Sequence, residues 1–421
     1  MLSFVSKTWV LFFGYAIICL GHGLQGTLVG VRAIIENFSF LQTGIIITGY
    51  YVGYLSGSLI IPHFLKKVGH IRVFAALASL ASLAILLHSI FIIPIIWFFI
   101  RILTGISIAG IFVIMESWLN EKSTNSTRGS ILSIYMIITF SFLGLGSFLL
   151  NISDPAKYDL FILVSVLLSF ALIPILLTST NAPNFENPKR IKFSELYQIS
   201  PLGFIGALLI GFSHSALFGL GAVYAKGSDL TNFEVSLFIV IITVFGALFQ
   251  WPIGLVSDKI DRRIILIIVS LIASVTCILI LGASFISTLL VFFLLAFYSG
   301  MSLPTYSLAI AHTNDFIKPD EIVAVSAALA VLVGCGSVLG PLFASYFMSI
   351  FGPNGLFVFL FLTHLSLGLY GIYRMAIRSK PKNMESQYTP LPRTITPVGM
   401  ELNPKAEIED DYLGQDSFFE K

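Results

Sequence analysis

Gly254-Leu255-Val256-Ser257-Asp258-Lys259-Ile260-Asp261-Arg262-Arg263 lies between two long apolar runs, and its reading decides the fold. It puts a carboxylate at the end of one apolar segment and a cluster of cations at the start of the next. That is the composition of a tight turn just outside a bilayer, where charge returns to water. A looser copy, Pro62-His63-Phe64-Leu65-Lys66-Lys67-Val68-Gly69-His70-Ile71-Arg72, stands 192 residues earlier (254 − 62). A border motif used twice at one spacing points to a duplicated membrane unit.

Composition agrees. The 421 residues are 56% hydrophobic and 11% charged, with a mean hydropathy of +0.93. Soluble domains carry about 25% charged residues, so a soluble globule is excluded. The net charge of +2 gives no reason to expect nucleic acid, because the cations gather at the borders of apolar runs. Cys19, Cys277 and Cys335 lie inside such runs without metal or disulfide spacing and read as small packing residues. The first run is long and lacks a small-residue cleavage site, so it reads as a retained helix.

A span takes roughly 20 apolar residues. The pattern predicts twelve, at 8–31, 41–64, 71–90, 92–119, 129–150, 158–179, 201–225, 232–256, 263–283, 287–311, 321–350 and 354–376. An even number puts both termini on one side. With the N-terminus inside, the inner loops hold Lys7, Lys66, Lys67, Arg72, Lys122, Arg128, Lys189, Arg190, Lys192, Lys259, Arg262, Arg263 and Lys318. The outer loops hold Arg32, Lys157 and Lys226. The excess of inner cations predicts a multi-pass protein of the cell (inner) membrane with cytoplasmic termini.

The predicted organisation is a six-helix bundle over 1–179, a cytoplasmic linker over 180–200, a second six-helix bundle over 201–376 and a tail over 377–421. At the same offset of 192, residues 14–33 match 206–225 at Gly14/Gly206, Ile18/Ile210, His22/His214, Leu28/Leu220, Val31/Val223 and Ala33/Ala225. The fold class is therefore an all-α membrane protein of two pseudo-symmetric bundles, with a site expected at their interface near mid-membrane. The tail carries Pro381, Pro390, Pro392, Pro397 and Pro404 and an acidic run from Glu407 to Asp411, and is expected to be disordered.

The repeated border motif resembles the loop between the second and third helices of major facilitator superfamily transporters, and its repeat between the eighth and ninth. Asp261 stands where the family usually has Gly, and in the first copy Lys66 takes the Asp position and Pro62 that of the first Gly. Met115-Glu116-Ser117-Trp118 followed by Arg128-Gly129, and Gln250-Trp251-Pro252-Ile253-Gly254, look similar to a bacterial branch, the YcaD-like transporters. The resemblance implies secondary active transport of a small organic solute, with protons or another coupling ion as partner.

Ionisable groups at membrane depth are functional suspects. His22 and His214 take matching places on the first and seventh helices, which the family sets at the central cavity. They could bind solute or exchange protons; the alternative is a packing hydrogen bond for each. Gln25 joins them on the candidate pathway. Arg101 opens Arg101-Ile102-Leu103-Thr104-Gly105, which resembles the family's Arg-x-x-x-Gly motif, tied there to proton coupling or substrate anions. Its alternative is snorkelling to the outer face. Glu116 lies fifteen residues on, about 22 Å along a helix, too far to pair with Arg101. A carboxyl out of water favours its neutral form, which suits a proton carrier; the alternative is a partner for border cations. Tyr135, Gln250 and Tyr306, with Tyr50, Tyr51, Tyr54, Trp251 and Tyr298, supply polar and aromatic lining. His312 and His364 read as interfacial.

A charge-swapped cytoplasmic gate follows from the family's geometry. Lys66 or Lys67 is expected to pair with Asp320 or Glu321 at the start of the eleventh helix, and Asp258 to approach Arg128, with Glu121 and Arg262 bracing the two loops. No nucleotide-binding Gly-x-x-x-x-Gly-Lys-Ser/Thr run, His-Glu-x-x-His or Gly-x-Ser-x-Gly occurs. No enzyme activity, cofactor or metal is expected, and the chain is expected to work as a monomer. Uptake of a metabolite and efflux of a drug-like compound both stay open. So does a transporter fold turned sensor or scaffold that signals through the tail.

Overall fold

The computed structural model describes residues 2–177, with side chains from Trp9 onward, and residues 191–378 and 388–404. The predicted roles of Lys7, Lys189 and Arg190, most of the linker, and tail residues 379–387 and 405–421 lie outside what it describes. Among the described residues there are helices and no strand.

The first half comprises α1 (Leu2–Ile35), α2 (Phe40–Val68), α3 (His70–Ile90), α4 (Pro94–Glu121), α5 (Arg128–Phe148) and α6 (Asp159–Leu176). A short helix, α7 (Phe193–Ile199), stands where the linker was expected. The second half follows with α8 (Pro201–Gly227), α9 (Asn232–Ser257), α10 (Arg262–Ala283), α11 (Thr288–Ser302) with α12 (Pro304–Asn314), α13 (Ile322–Phe351) and α14 (Gly355–Ile377). The predicted tenth span is α11 plus α12, interrupted at Leu303 because Pro304 offers no N–H to continue the ladder. One apolar stretch, Pro319–Ile377, is 59 residues long and turns at Gly352–Asn354, so it holds two spans. Among the described residues the crossings number twelve.

The duplication is visible in the backbone. Asn37 and Asp229 have left-handed φ of 58° and 59°, and they too stand 192 apart (229 − 37). Two residues on, Ser39 and Thr231 open α2 and α9 with the same capping box. The Ser39 hydroxyl accepts Gln42 N–H at 3.2 Å and the Gln42 side chain accepts Ser39 N–H at 2.9 Å. The Thr231 hydroxyl accepts Glu234 N–H at 3.3 Å and the Glu234 carboxylate accepts Thr231 N–H at 2.8 Å. Each box satisfies donors that the first helical turn leaves unpaired.

Helix pairing repeats as well. α1 packs on α5 and α6 as α8 packs on α13 and α14, and α2 packs on α4 as α9 packs on α11. The crossing of α2 and α4 is close because Gly53 and Gly105 face each other; a Cβ on either would fall on the other helix's backbone. The halves meet along α1–α8, α2–α13 and α5–α9. At the end of the molecule away from the tail, here the far face, Ser147 and Ser236 bond reciprocally. The Ser236 hydroxyl donates to Ser147 O at 2.7 Å and the Ser147 hydroxyl to Ser236 O at 3.2 Å, while Asn151 Nδ2 donates to Ser236 Oγ at 3.0 Å. Gly30 lies against Val223, and Gly44 against Ser345, in the same seal.

The opposite end is arranged differently. Residues 388–404 enter between the halves, with Leu391, Ile395, Val398, Met400 and Leu402 all buried. The expectation of a disordered tail is corrected for this segment. Its five apolar side chains meet walls already built by the bundles, so an isolated-chain argument from composition misjudges it.

Candidate functional site: the crevice between the halves

Glu116, near the tail end of α4, is fully buried and reached from both sides. Tyr135 Oη on α5 donates to Glu116 Oε1 at 2.8 Å. From the tail segment, Thr396 N–H lies 3.2 Å from both carboxylate oxygens, and the Thr396 hydroxyl donates to Oε2. Tyr135 is held by stacking on Tyr15, centroids 4.8 Å apart, and the Tyr15 hydroxyl bonds Thr139 Oγ1 at 2.7 Å. The alternative of a partner for border cations does not match these contacts.

Toward the far face, His22, Thr27, Tyr50, Tyr51, Arg101 and Thr243, with Phe218 and the tail's Arg393, line a cavity of about 70 Å³. Arg101 is 5% exposed, so it does not snorkel. Its guanidinium lies 4.6 Å from the centre of the Tyr50 ring, while Nε and Nη1 make no hydrogen bond. No carboxylate lines that cavity. His22 Nε2 is 3.1 Å from Tyr50 Oη. A second cavity of about 50 Å³, nearer the tail face, is lined by Tyr54, Ser58, Tyr306, Ser337 and the tail's 393–397.

His22 and His214 do not meet. The His214 Nε2–H donates to Ser302 O at 3.2 Å, a carbonyl at the break between α11 and α12 that also accepts the Thr305 hydroxyl at 2.6 Å. His214 therefore makes the packing bond that was its alternative. Gln25 is buried. Gln250 accepts from the Ser307 hydroxyl at 3.4 Å, and Tyr306 faces the second cavity. Trp251 is 73% exposed and points away from the crevice, a correction to its reading as lining. His364 is fully buried and 3.0 Å from both Tyr298 Oη and Ser302 Oγ, not interfacial. His312 is buried as well.

The expected charge-swapped gate is not formed. Among the described residues no ion pair joins Lys66 or Lys67 to Asp320 or Glu321. Glu321 instead accepts Lys318 N–H at 3.0 Å at the start of its own helix, and Glu121 is exposed. Asp258 does not approach Arg128; it pairs with Arg262 at 2.9 Å and accepts Tyr388 N–H at 2.7 Å. Arg262 also reaches Asp315 at 3.0 Å, and Arg128 Nη1 donates to Asn125 Oδ1 at 2.8 Å. The tail segment takes part of this face: Tyr388 bonds Asp258, and Pro404 lies against Gly129 beside Arg128. Sequence reading missed Tyr15, Thr139, Phe218 and the whole of 388–404. No cluster of metal-ligating side chains occurs among the described residues.

Two six-helix bundles sealed at one face, with buried ionisable groups along the crevice between them, define a membrane transport protein of the two-bundle type. The family model described as Major Facilitator Superfamily matches residues 11–313 and 203–405, and the chain belongs to that family of transporters. It is 26% identical over 367 residues to the uncharacterised MFS-type transporter YcaD of Escherichia coli (strain K12), covering 85% of this chain and 93% of that protein. In fold it is similar to the nucleoside transporter NupG, with a TM-score of 0.70, 11% identity and coverage of 88% and 98% of the two chains. It is also similar to a bacterial homologue of the human lysosomal transporter Spinster in an inward-facing, occupied conformation. There the TM-score is 0.69, the identity 14% and the coverage 88% and 97%.

Proposed function

We propose that the chain is a secondary active transporter that moves a small organic solute by alternating access, with protons as the coupling ion. The observation that carries this reading is the asymmetry of the crevice. It is sealed at the far face by Ser147, Ser236 and Asn151, and it holds Glu116 and Arg101 at depth on the first half. Alternating access needs a second packing of the halves within a few kcal/mol of this one. Weak seals of neutral hydrogen bonds, about 0.5–1.5 kcal/mol each, suit that requirement.

Each buried group takes a role. Arg101, an uncompensated guanidinium with two free donors and no nearby carboxylate, favours a solute that brings its own carboxylate or phosphate. Glu116, at the end of the Tyr15–Tyr135 stack, is the proton carrier. The tail face is cytoplasmic, in keeping with the loop cations, and the state described is closed outward.

The test is a thermal-shift screen of purified protein against metabolites at two pH values, followed by counterflow of the hits in proteoliposomes. Anionic metabolites that stabilise the chain and exchange across the membrane support the reading. Exchange absent for every stabilising compound overturns it.

A further inference from the structure

We propose that residues 388–404 are a tethered plug, a segment of this chain that occupies the crevice in place of solute and holds the tail face apart. The proposal rests on the transport reading, but its geometry stands independently.

The segment bonds to both halves in turn. On the second half, Tyr388 N–H donates to Asp258 Oδ1 at 2.7 Å, and Leu391 N–H donates to Ser307 Oγ at 3.0 Å. On the first half, the Tyr54 hydroxyl donates to Thr394 O at 2.5 Å, Thr396 donates to Glu116, and Asn120 Nδ2 donates to Val398 O and Glu401 Oε2, each at 3.0 Å. Between these anchors the Arg393 guanidinium lies 3.8 Å from the centre of the Phe218 ring. A segment anchored first to one body and then to the other is a wedge. The halves cannot converge on this face while it stays.

The remaining space points the same way. The cavities on either side of Arg393 measure about 50 and 70 Å³. A dry cavity that admits benzene is about 150 Å³. With the segment in place the crevice takes water or a very small anion, and a metabolite enters after the segment leaves. The segment also closes over Glu116, so withdrawal opens the proton carrier and the solute space together. Docking uses main-chain N–H and C=O groups, a few polar side chains and buried aliphatic ones, the pattern of a peptide ligand with preformed walls rather than of a seventh helix in the bundle.

The test reads exposure of the crevice and needs no solute. Ser58 lines the second cavity, is 6% exposed and makes no bond to the tail. Ser58→Cys is placed in a Cys335→Ala background, since Cys335 is the one half-buried native thiol and Cys19 and Cys277 are buried. Maleimide labelling is compared in nanodiscs for the full chain, a chain ending at Arg378, and full chains carrying Ile395→Asp or Gly254→Val. The last places a side chain where the Tyr388 ring lies. The expected result is labelling at least tenfold faster in all three altered chains, slowed again in the truncated chain by a synthetic peptide of residues 388–404. Equal labelling of the full, truncated and Ile395→Asp chains overturns the plug. Because no transport is measured, that failure is distinct from a failure of the transport reading.

Discussion

Thr396 gives Glu116 both its N–H and its hydroxyl, so a residue near the end of the chain completes the hydrogen bonding of the carboxyl most deeply set in the crevice. Tyr135 supplies the other donor, at 2.8 Å. The hydrogen bonding of Glu116 is thereby linked to the position of the tail, a coupling that neither helix contains by itself.

Replacing Glu116 by Gln keeps volume and hydrogen-bonding capacity but removes the titratable group. In proteoliposomes the variant is expected to retain counterflow while losing at least tenfold in pH-gradient-driven accumulation. Equal accumulation by both proteins removes Glu116 from coupling. Tyr135→Phe removes a donor and is expected to cost about 1–3 kcal/mol, read as a lower Tm in detergent.

Arg101→Met separates stability from function. A buried cation that meets a tyrosine ring but no carboxylate is a burden that an apolar residue of similar length relieves. The variant is expected to melt at the same temperature as the parent or above it, while thermal shifts from anionic metabolites disappear. A large fall in Tm would mean that Arg101 holds the fold together.

The first-half interface gives a packing prediction. Gly105→Val puts two methyl groups into the backbone of α2 at Tyr50. It is expected to cost about 3 kcal/mol or more, beyond the usual 1–3 kcal/mol of core overpacking because the obstacle is backbone. Gly282→Val, where nothing lies within reach, is expected to leave Tm unchanged apart from helix propensity.

Asp261, at the turn before α10, carries a pH dependence. Burial alone would raise its carboxyl, but hydrogen bonds from the Arg263 side chain and N–H, with the Arg263 charge, hold it below the usual value. The folded chain thus favours the charged form. Its stabilisation is fully present above the unfolded carboxylate value and fades as pH falls through the lower folded one. Asp261→Asn keeps the cap but removes the charge paired with Arg263 and is expected to lower stability by up to about 1 kcal/mol at neutral pH, with the gap narrowing as the medium is acidified, in Tm measured across pH.

The duplicated halves were legible because membrane burial imposes long apolar runs and leaves charge at their borders. A sharper signal was present and unread. Ser39-x-x-Gln42 and Thr231-x-x-Glu234 sit at the offset of 192 and mark the starts of α2 and α9. The break at Pro304 could also have been drawn from the sequence, and it explains why His214 is occupied with packing. The tail could not be placed by composition, since its burial depends on a crevice that the segment does not itself build. Even so, Leu391, Ile395, Val398 and Leu402 recur every three or four residues among prolines. The charge-swapped gate failed for a different reason: loop charges fix which face they lie on, not which state of the crevice brings them together.

Spin-label distances across both ends of the crevice test the central claim most directly. Leu41 and Phe233 are exposed equivalents at the far face, and Val68 and Ile260 at the tail face, each pair 192 apart in the chain. A single far-face distance is expected in the full chain, and in the chain ending at Arg378 a second population with Leu41–Phe233 longer and Val68–Ile260 shorter. Distances that stay fixed in both chains, or that lengthen together at the two faces, would contradict alternating access held open by the tail.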